Sequence, residues 1–356
     1  GVTHGRDAPY KIEGTGNVAA LGGSPPSGRV IGRIGEFIVI GNTSANKSYA
    51  YRSDPGNAEG NWTRFWDVKS DDTQGLTAVG EIDQRTGYLF KEKTADRVEL
   101  IGGINWKHDR GYLPKGIVGQ ATLKKCTLNF DGRSVDVLIG LSHDGVYAFD
   151  SSKNPIHLSK DLNHKFDRNN TGRWNPNYFS SAFAEYDSTR HWYWLWVPSL
   201  SSSGQMDELW ILDLETFEWW PCDPNASASM SLLTDSNGDL QMHCGGYDGY
   251  VRRFSRSLKN YDGTAVNSYY FTGVIDFEKT VRVRQFIPFS AQQGTYSLDF
   301  NLRWGMSRAT TASDALLLTR GGGTYGTGTY GTATYGSGRP VFKNMGALLK
   351  TGEYLQ

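Results

Sequence analysis

Short stretches of alternating apolar and polar residues run along most of the chain. Alternation with a period of two is typical of a β-strand with one buried face. The runs are residues 36–40, 48–51, 63–68, 87–90, 97–101, 135–139, 145–149, 191–197, 208–212 and 250–254. No comparable stretch carries the apolar stripe of a helix, so the pattern predicts an all-β protein.

Turn-forming dipeptides separate many of these runs. An Asp or Asn followed by Gly tolerates the left-handed backbone of a tight hairpin turn. Such pairs occur at Asp131-Gly132, Asp144-Gly145, Asn237-Gly238, Asp248-Gly249 and Asp262-Gly263. We therefore expect consecutive strands to be joined by short loops.

The hairpins recur at intervals near the roughly 40 to 50 residues of a β-propeller blade. Units begin near Val30, Leu76, Ile117, Tyr178 and Ala226, and the longest interval holds an insert around residues 161–177. Five blades are visible, and the N-terminal segment with residues after Asn260 can supply a sixth. The alternative is an ordinary β-sandwich with unrelated hairpins.

Two kinds of segment repeat within these units. Residues 141–149 and 245–254 both carry Asp-Gly followed by a strand that ends in Phe. Residues 48–67 and 208–223 both carry an aromatic strand, a polar loop and a Trp-rich strand. This recurrence favours one repeated unit that packs against its neighbours.

After about residue 266 the alternating apolar and polar stretches become longer. We predict an N-terminal segment (1–29) that can close the propeller, the β-propeller itself (30–265), a small β-sandwich-like region (266–310), and a Gly/Tyr-rich arm with the C-terminal segment (311–356). In the arm, Tyr325, Tyr330 and Tyr335 recur every five residues within an uncharged tract. The tract is either a flexible linker or an arm that orders against a neighbouring subunit.

Composition narrows the range of functions. The chain has 356 residues with 43 Gly and 11 Trp, and its 37 basic residues balance its 37 acidic ones. A neutral chain has no net field that attracts nucleic acid or an anionic membrane. No apolar run approaches the roughly 20 residues of a membrane-spanning helix. Three scattered cysteines form neither a disulfide framework nor a zinc motif: Cys126, Cys222 and Cys244.

Motifs for catalysis are missing from the sequence. It contains no His-Glu-x-x-His, Gly-x-Ser-x-Gly, Walker or dinucleotide-binding pattern. Some propellers are glycosidases that use two carboxylates, and the candidates for that role are Asp144, Asp187, Glu208 and Asp248. Asp144 and Asp248 precede Gly in predicted turns, so we interpret them as structural. We predict no catalytic, cofactor-binding or metal-binding residue and no enzymatic activity.

Three further features have two interpretations each. Residues 235–239 resemble the start of a calcium loop, but Leu240 stands where Gly is required, so a hairpin turn is favoured. The paired arginines at 252–253 and the alternating arginines at 282 and 284 suit either a nucleic-acid patch or, as we favour, a solvated strand face or subunit contact. In residues 191–197, alternation places Trp192, Trp194 and Trp196 on one face and His191, Tyr193, Leu195 and Val197 on the other. Aromatic residues on both faces favour a strand covered on both sides over a carbohydrate platform.

A family resemblance rests on the order of several segments between residues 30 and 255. They are residues 52–62 with Arg52, Pro55 and Trp62, the triplet Phe90-Lys91-Glu92, residues 144–149, residues 182–199, residues 209–221 and residues 248–254. In this order the chain resembles the propeller-bearing tail nozzle and DNA-stabilisation proteins of short-tailed bacteriophages.

The resemblance implies a structural virion protein in the neck or tail. Such a protein would form a homo-oligomeric ring beside portal, adaptor and tail proteins, and would retain and release genomic DNA without sequence-specific binding. A neutral wall suits DNA that must slide, because a basic wall would hold the phosphates. The alternatives are a glycan-binding or glycan-hydrolysing propeller and, third, a protein-interaction scaffold.

Overall fold

The computed structural model describes residues 5, 7–14, 16–68, 70–101, 105–130, 132–222, 225–254, 260–261, 264–265, 275–282, 296–302, 312–318 and 351–355. The chain divides into two compact units, Gly1–Val266 and Asn267–Gln356. The finer division predicted from the sequence stays a prediction.

Unit 1 contains five consecutive antiparallel sheets in which strands follow chain order. Before them lies a hairpin of β1 (Tyr10–Glu13) and β2 (Asn17–Ala20). Sheet 1 comprises β3 (Gly28–Ile34), β4 (Phe37–Thr43), β5 (Tyr49–Arg52) and β6 (Arg64–Asp67). Sheet 2 comprises β7 (Ala78–Glu81), β8 (Thr86–Phe90), β9 (Ala95–Ile101) and β10 (Asn105–Leu113).

The next three sheets repeat this arrangement. Sheet 3 comprises β11 (Lys124–Phe130), β12 (Arg133–Ser142), β13 (Gly145–Phe149) and β14 (Ile156–His157). Sheet 4 comprises β15 (Phe183–Asp187), β16 (Trp192–Val197), β17 (Glu208–Asp213) and β18 (Trp219–Cys222). Sheet 5 comprises β19 (Ser227–Thr234), β20 (Leu240–Gly246) and β21 (Val251–Arg253), and the short strands β22 (Asn260–Tyr261) and β23 (Thr264–Ala265) pair after it.

Helical structure in the described residues is limited to short turns. A single α-helical turn, α1, spans Asn163–Phe166. The 3-10 turns are Ser70–Asp72, Gln120–Thr122, Lys160–Leu162 and Pro176–Ser181. The all-β prediction is confirmed, and all ten predicted runs fall on strands.

The predicted repeats coincide with the sheets. Each of the five predicted units contains one sheet, which begins within seven residues of the predicted start. Residues 141–149 and 245–254 both form the turn from the second strand of a sheet to its third. Residues 48–67 and 208–223 both contain a third and a fourth strand. Equivalent sequence segments thus occupy equivalent places in different sheets.

One predicted turn differs in register. Ser142 pairs with Gly145, so the two turn residues between β12 and β13 are His143 and Asp144 rather than Asp144 and Gly145. A side chain at Gly145 would lie 2.5 Å from Nε2 of His157, so this glycine is needed for close packing, not for turn geometry. Gly238 and Gly249 do adopt positive φ in turns, as predicted, whereas Asp262-Gly263 lies outside the described residues.

The core of unit 1 lies between successive sheets. One cluster of buried side chains joins sheets 1 and 2, another joins sheets 2 and 3, and the largest joins sheets 3, 4 and 5. The first strands of neighbouring sheets contact one another, from β3 to β7, β11, β15 and β19 in turn. A Cβ on Gly32 would lie 2.8 Å from Val79, and one on Gly80 would lie 2.8 Å from Leu123, so glycine allows these contacts.

Strand β16 is covered on both faces, as predicted. Tyr193, Leu195 and Val197 are fully buried on one face, and Trp194 and Trp196 are buried on the other. The Tyr193 hydroxyl donates to the backbone carbonyl of Thr122 at 2.6 Å, which ties sheet 4 to sheet 3. These rings are therefore core residues.

Unit 2 contains four described strands. They are β24 (Ile275–Arg282), β25 (Tyr296–Leu302), β26 (Ala312–Leu318) and β27 (Thr351–Leu355), and β24 pairs with β27 while β25 pairs with β26. The predicted sandwich stays a prediction. Arg284 and the Gly/Tyr tract at residues 321–340 lie outside the described residues.

Candidate binding cleft

The carboxylates weighed as catalytic candidates each have local structural partners. Asp187 is fully buried and accepts hydrogen bonds from the backbone nitrogens of Thr189 and Arg190 at 3.0 and 3.2 Å. The Arg190 guanidinium also lies 2.5 Å from its second oxygen. Asp187 therefore closes the turn between β15 and β16.

Asp248 forms a bidentate ion pair with Arg252 across the turn that precedes β21. The two guanidinium nitrogens lie 3.0 and 2.5 Å from its oxygens. The hydrogen bond from Arg252 and a backbone N–H from Tyr250 lower the pKa of Asp248 to about 2. Arg252, predicted on a strand face or in a basic patch, thus has a carboxylate partner.

The calcium-like segment is a turn. The Asp235 carboxylate accepts hydrogen bonds from the backbone nitrogens of Asn237 and Asp239 at 2.8 and 3.0 Å. Within the residues that the structure describes, no group of three or more His, Cys, Asp or Glu side chains could hold a metal. In the same residues, no helix is long and apolar enough to cross a membrane.

Glu208 anchors the insert to sheet 4. Its Oε2 accepts hydrogen bonds from the indole nitrogens of Trp174 and Trp210 at 2.9 and 3.0 Å and from Lys165 Nζ at 2.9 Å. Lys165 also lies over the ring of Trp210. Two of these donors, Lys165 and Trp174, come from the insert, so the carboxylate fixes residues 165–174 against strand β17.

A cleft of about 550 Å³ lies beside this anchor. Its walls come from residues 92–93, from residues 114–116, from the 142–144 turn between β12 and β13, and from residues 165–179, which comprise most of the insert and part of the 3-10 turn after it. Gly116 permits the close approach of two of these segments, because a Cβ there would overlap the carbonyl oxygen of Lys91. The cleft therefore forms where sheets 2 and 3 meet the insert.

Aromatic side chains support one wall of the cleft. Phe166 packs edge-on against Trp174 with ring centroids 5.0 Å apart, and also contacts Phe179. His143 also stacks on Phe179, with ring centroids 6.3 Å apart. Trp174 and Phe179 are 1 % and 2 % exposed, whereas Phe166 is only partly buried. The wall is thus rigid, and Phe166 is the ring most accessible from the cleft.

Two of the charged groups at the cleft form an ion pair with each other. Lys115 donates a hydrogen bond to Asp144. Burial alone would lower the pKa of Lys115, but the hydrogen bond and charge of Asp144 outweigh it, and the pKa rises. Burial would likewise raise the pKa of Asp144, but Lys115 lowers it. Both groups are therefore charged at neutral pH, and Asp144 has its cation already.

Three other cations line the cleft without a carboxylate partner in the described part of the chain: Lys93, Arg168 and Arg173. Arg168 is exposed, and Arg173 is half-buried. The Nε of Arg173 is buried and makes no hydrogen bond with any described residue. Oε2 of the nearby carboxylate Glu92 lies 3.4 Å from Nε2 of His143.

Sequence reasoning did not find this cleft. It indicated an irregular insert around residues 161–177 but gave that insert no role. Among the four weighed carboxylates, Asp144 lines the cleft and Glu208 anchors its wall. The basic residues that line it were not singled out, because they are scattered between residues 93 and 173. The one usable signal was the excess length between the third and fourth units.

No protein-family model matches the sequence, and no curated protein matches it either. Among solved structures, a crystal structure of a protein from Lactobacillus plantarum is similar with a TM-score of 0.40 and 10% identity, over 69% of this chain and 76% of that one. The crystal structure of the tricorn protease gives a TM-score of 0.21 and 9% identity, over 96% of this chain and 36% of that one.

Proposed function

We propose that this chain is a non-enzymatic β-propeller subunit of a tailed-phage virion, located in the neck or tail, where a ring of copies forms part of the conduit that retains and releases genomic DNA. The observation that carries the proposal is the series of five chain-ordered antiparallel sheets whose first strands contact in succession. It coincides with the segment order that resembles the phage nozzle and DNA-stabilisation proteins.

The packing supports a propeller of five to six blades. In a propeller, each blade is a meander of about four strands that packs face to face on the next blade. Sheets 1 to 4 are such meanders, and each cluster of buried side chains is shared between successive sheets. Sheet 5 has three strands among the described residues, and a sixth blade from the chain termini stays part of the proposal.

The partners of the weighed carboxylates support a structural role. Glycoside hydrolysis uses two carboxyl groups, one of which is free to donate a proton. Asp187 and Asp248 each pair with an arginine, while Asp144 pairs with Lys115 and Glu208 with Lys165. Each of these carboxylates is thus fixed in place by a neighbouring cation, which suits a scaffold better than acid catalysis.

The charge balance fits passage of DNA. With 37 basic and 37 acidic residues the chain has no formal net charge. Each phosphate contact by Lys or Arg adds affinity through counterion release, so a strongly basic wall would retain the genome. A neutral wall lets DNA slide.

The test combines negative-stain microscopy of the purified full chain with its mass in solution from light scattering. We expect a closed ring with a central channel wide enough for duplex DNA, and a mass that is a fixed multiple of the 39.5 kDa chain. Immunogold labelling of phage particles that encode the chain should mark the neck or tail. A monodisperse monomer at high concentration, together with unlabelled tails, would overturn the proposal.

A further inference from the structure

We propose that the cleft between sheets 2 and 3 and the insert binds a small ligand that carries an oxyanion, such as a sugar phosphate or a sugar acid. This site is independent of the proposed conduit role. It would give the chain a binding activity whether or not it forms a ring.

The size of the cleft suits a small molecule. Ligand sites are typically clefts of about 300 to 1,000 Å³, and this one holds about 550 Å³. Its walls come from four separate chain segments, and the Glu208 anchor holds the longest of them, residues 165–179, in place. A rigid wall of this kind lowers the entropy cost of binding.

The charge of the cleft selects an anion. Five Lys or Arg side chains line the cleft, but only two carboxylates do, Glu92 and Asp144. Lys115 is paired with Asp144, and Lys165 with Glu208 just outside the cleft. The positive charge that remains belongs to residues 93, 168 and 173, and it exceeds the single charge of Glu92.

Arg173 supplies the second observation. Its half-buried side chain lines the cleft, and no carboxylate of the described residues pairs with it. A phosphate or carboxylate can accept two parallel hydrogen bonds from one guanidinium fork. The guanidinium group of Arg173 can therefore hold an oxyanion in the cleft through the nitrogens that face it.

The aromatic wall favours a small ligand over a nucleic-acid strand. Single-stranded nucleic acids bind to exposed aromatic platforms on which successive bases stack. Trp174 and Phe179 are almost fully buried, which leaves Phe166 as the one partly exposed ring of the three. One ring is enough for the apolar face of one sugar.

Calorimetric titration of the full chain tests the site with four probes: glucose 6-phosphate, glucuronate, inorganic phosphate and glucose. We expect the three anions to bind and neutral glucose not to bind, with affinity that falls as NaCl is added. Arg168→Gln is exposed and should leave folding unchanged. Because charge-assisted hydrogen bonds are strong, Arg168→Gln and Arg173→Gln should each weaken anion binding by about tenfold or more.

The matched control is Arg85→Gln, which removes an exposed arginine outside the cleft. It should bind the probes as the unmodified chain does. Equal affinity for inorganic phosphate and glucose 6-phosphate would support the oxyanion site and assign it to free phosphate. Glucose binding as tightly as its phosphate, no binding of any probe, or equal loss in Arg85→Gln and Arg168→Gln would overturn the proposal.

Discussion

The buried lysine between sheets 1 and 2 allows a quantitative test of the packing. Lys91 follows strand β8, and its side chain is 0 % exposed. Its Nζ lies 2.6 Å from Asp72 Oδ1 and 3.3 Å from Ser48 Oγ. Ser48 immediately precedes β5 of sheet 1, and Asp72 lies in the 3-10 turn between sheets 1 and 2. The ammonium group therefore links the end of β8 in sheet 2 to sheet 1.

Replacing Lys91 by Met keeps most of the side-chain volume and removes the charge. The Asp72 carboxylate, 20 % exposed, then loses its cation. Breaking a buried ion pair by removing one partner costs about 3 to 5 kcal/mol. Because Asp72 retains some contact with water, we expect Lys91→Met to lower the free energy of unfolding by about 3 kcal/mol, near the lower end of that range.

A double-mutant cycle separates this ion pair from simple loss of volume. Asp72→Asn alone leaves the lysine buried without a carboxylate, and the double variant Lys91→Met with Asp72→Asn leaves no uncompensated charge. We expect the double variant to lose less stability than the sum of the single losses, with a coupling energy of about 2 kcal/mol. Additivity to within about 0.5 kcal/mol would refute the reasoning.

Urea unfolding followed by tryptophan fluorescence is the assay. Ten of the eleven tryptophans precede residue 267, so the signal reports mainly on unit 1. Lys47→Met, which alters an exposed lysine on a loop of sheet 1, is the matched control and should change stability by no more than about 0.5 kcal/mol. An unchanged slope against urea concentration would show that the native and unfolded states stay comparable.

Three further predictions concern single positions. Burial lowers the pKa of His157, so the fold favours its neutral form. The free energy of unfolding should therefore fall as the pH drops below about 6.5, and it should fall less in His157→Gln. Identical pH profiles for the two proteins would contradict this. Gly32→Ala places a Cβ 2.8 Å from Val79 and should lower the stability measured by thermal unfolding by about 1 to 3 kcal/mol. In the control Gly172→Ala, the new Cβ lies 3.5 Å from its nearest neighbour, so stability should hardly change. Glu208→Gln weakens three hydrogen bonds to this side chain and should lower the free energy of unfolding by about 2 kcal/mol. Hydrogen exchange should accelerate in residues 160–181 but not in sheet 1. Unchanged exchange in the insert would refute the role of Glu208 as its anchor.

The strands and their grouping into units could be predicted because each depends on local signals. Alternation along residues 208–212 and turn residues such as Asp248-Gly249 act within a few positions. The register of the turn at 143–144 could not be predicted, since Gly145 is required by the distant His157 rather than by the turn itself. Tertiary packing decided that position.

The cleft and the buried lysine depend on contacts between distant residues. Glu208 looked like a possible catalytic carboxylate, but its partners Lys165 and Trp174 lie 43 and 34 residues away in the chain. Lys91 is a charged residue, which sequence patterns place at the surface, and its burial depends on Asp72 and Ser48. Such arrangements follow from the fold and leave little trace in local periodicity.

The shared clusters between successive sheets determine how unit 1 responds to damage. Each sheet buries its faces against the sheets next to it in the chain, so stability is a sum of nearest-neighbour couplings, as in repeat proteins. Deleting sheet 5 removes one coupling and exposes one face, whereas deleting sheet 3 removes two and separates the hydrophobic clusters on either side of it. Proteolytic cleavage within sheet 3 should therefore loosen the clusters on both of its sides, whereas cleavage within sheet 5 should loosen only the cluster that it shares with sheets 3 and 4.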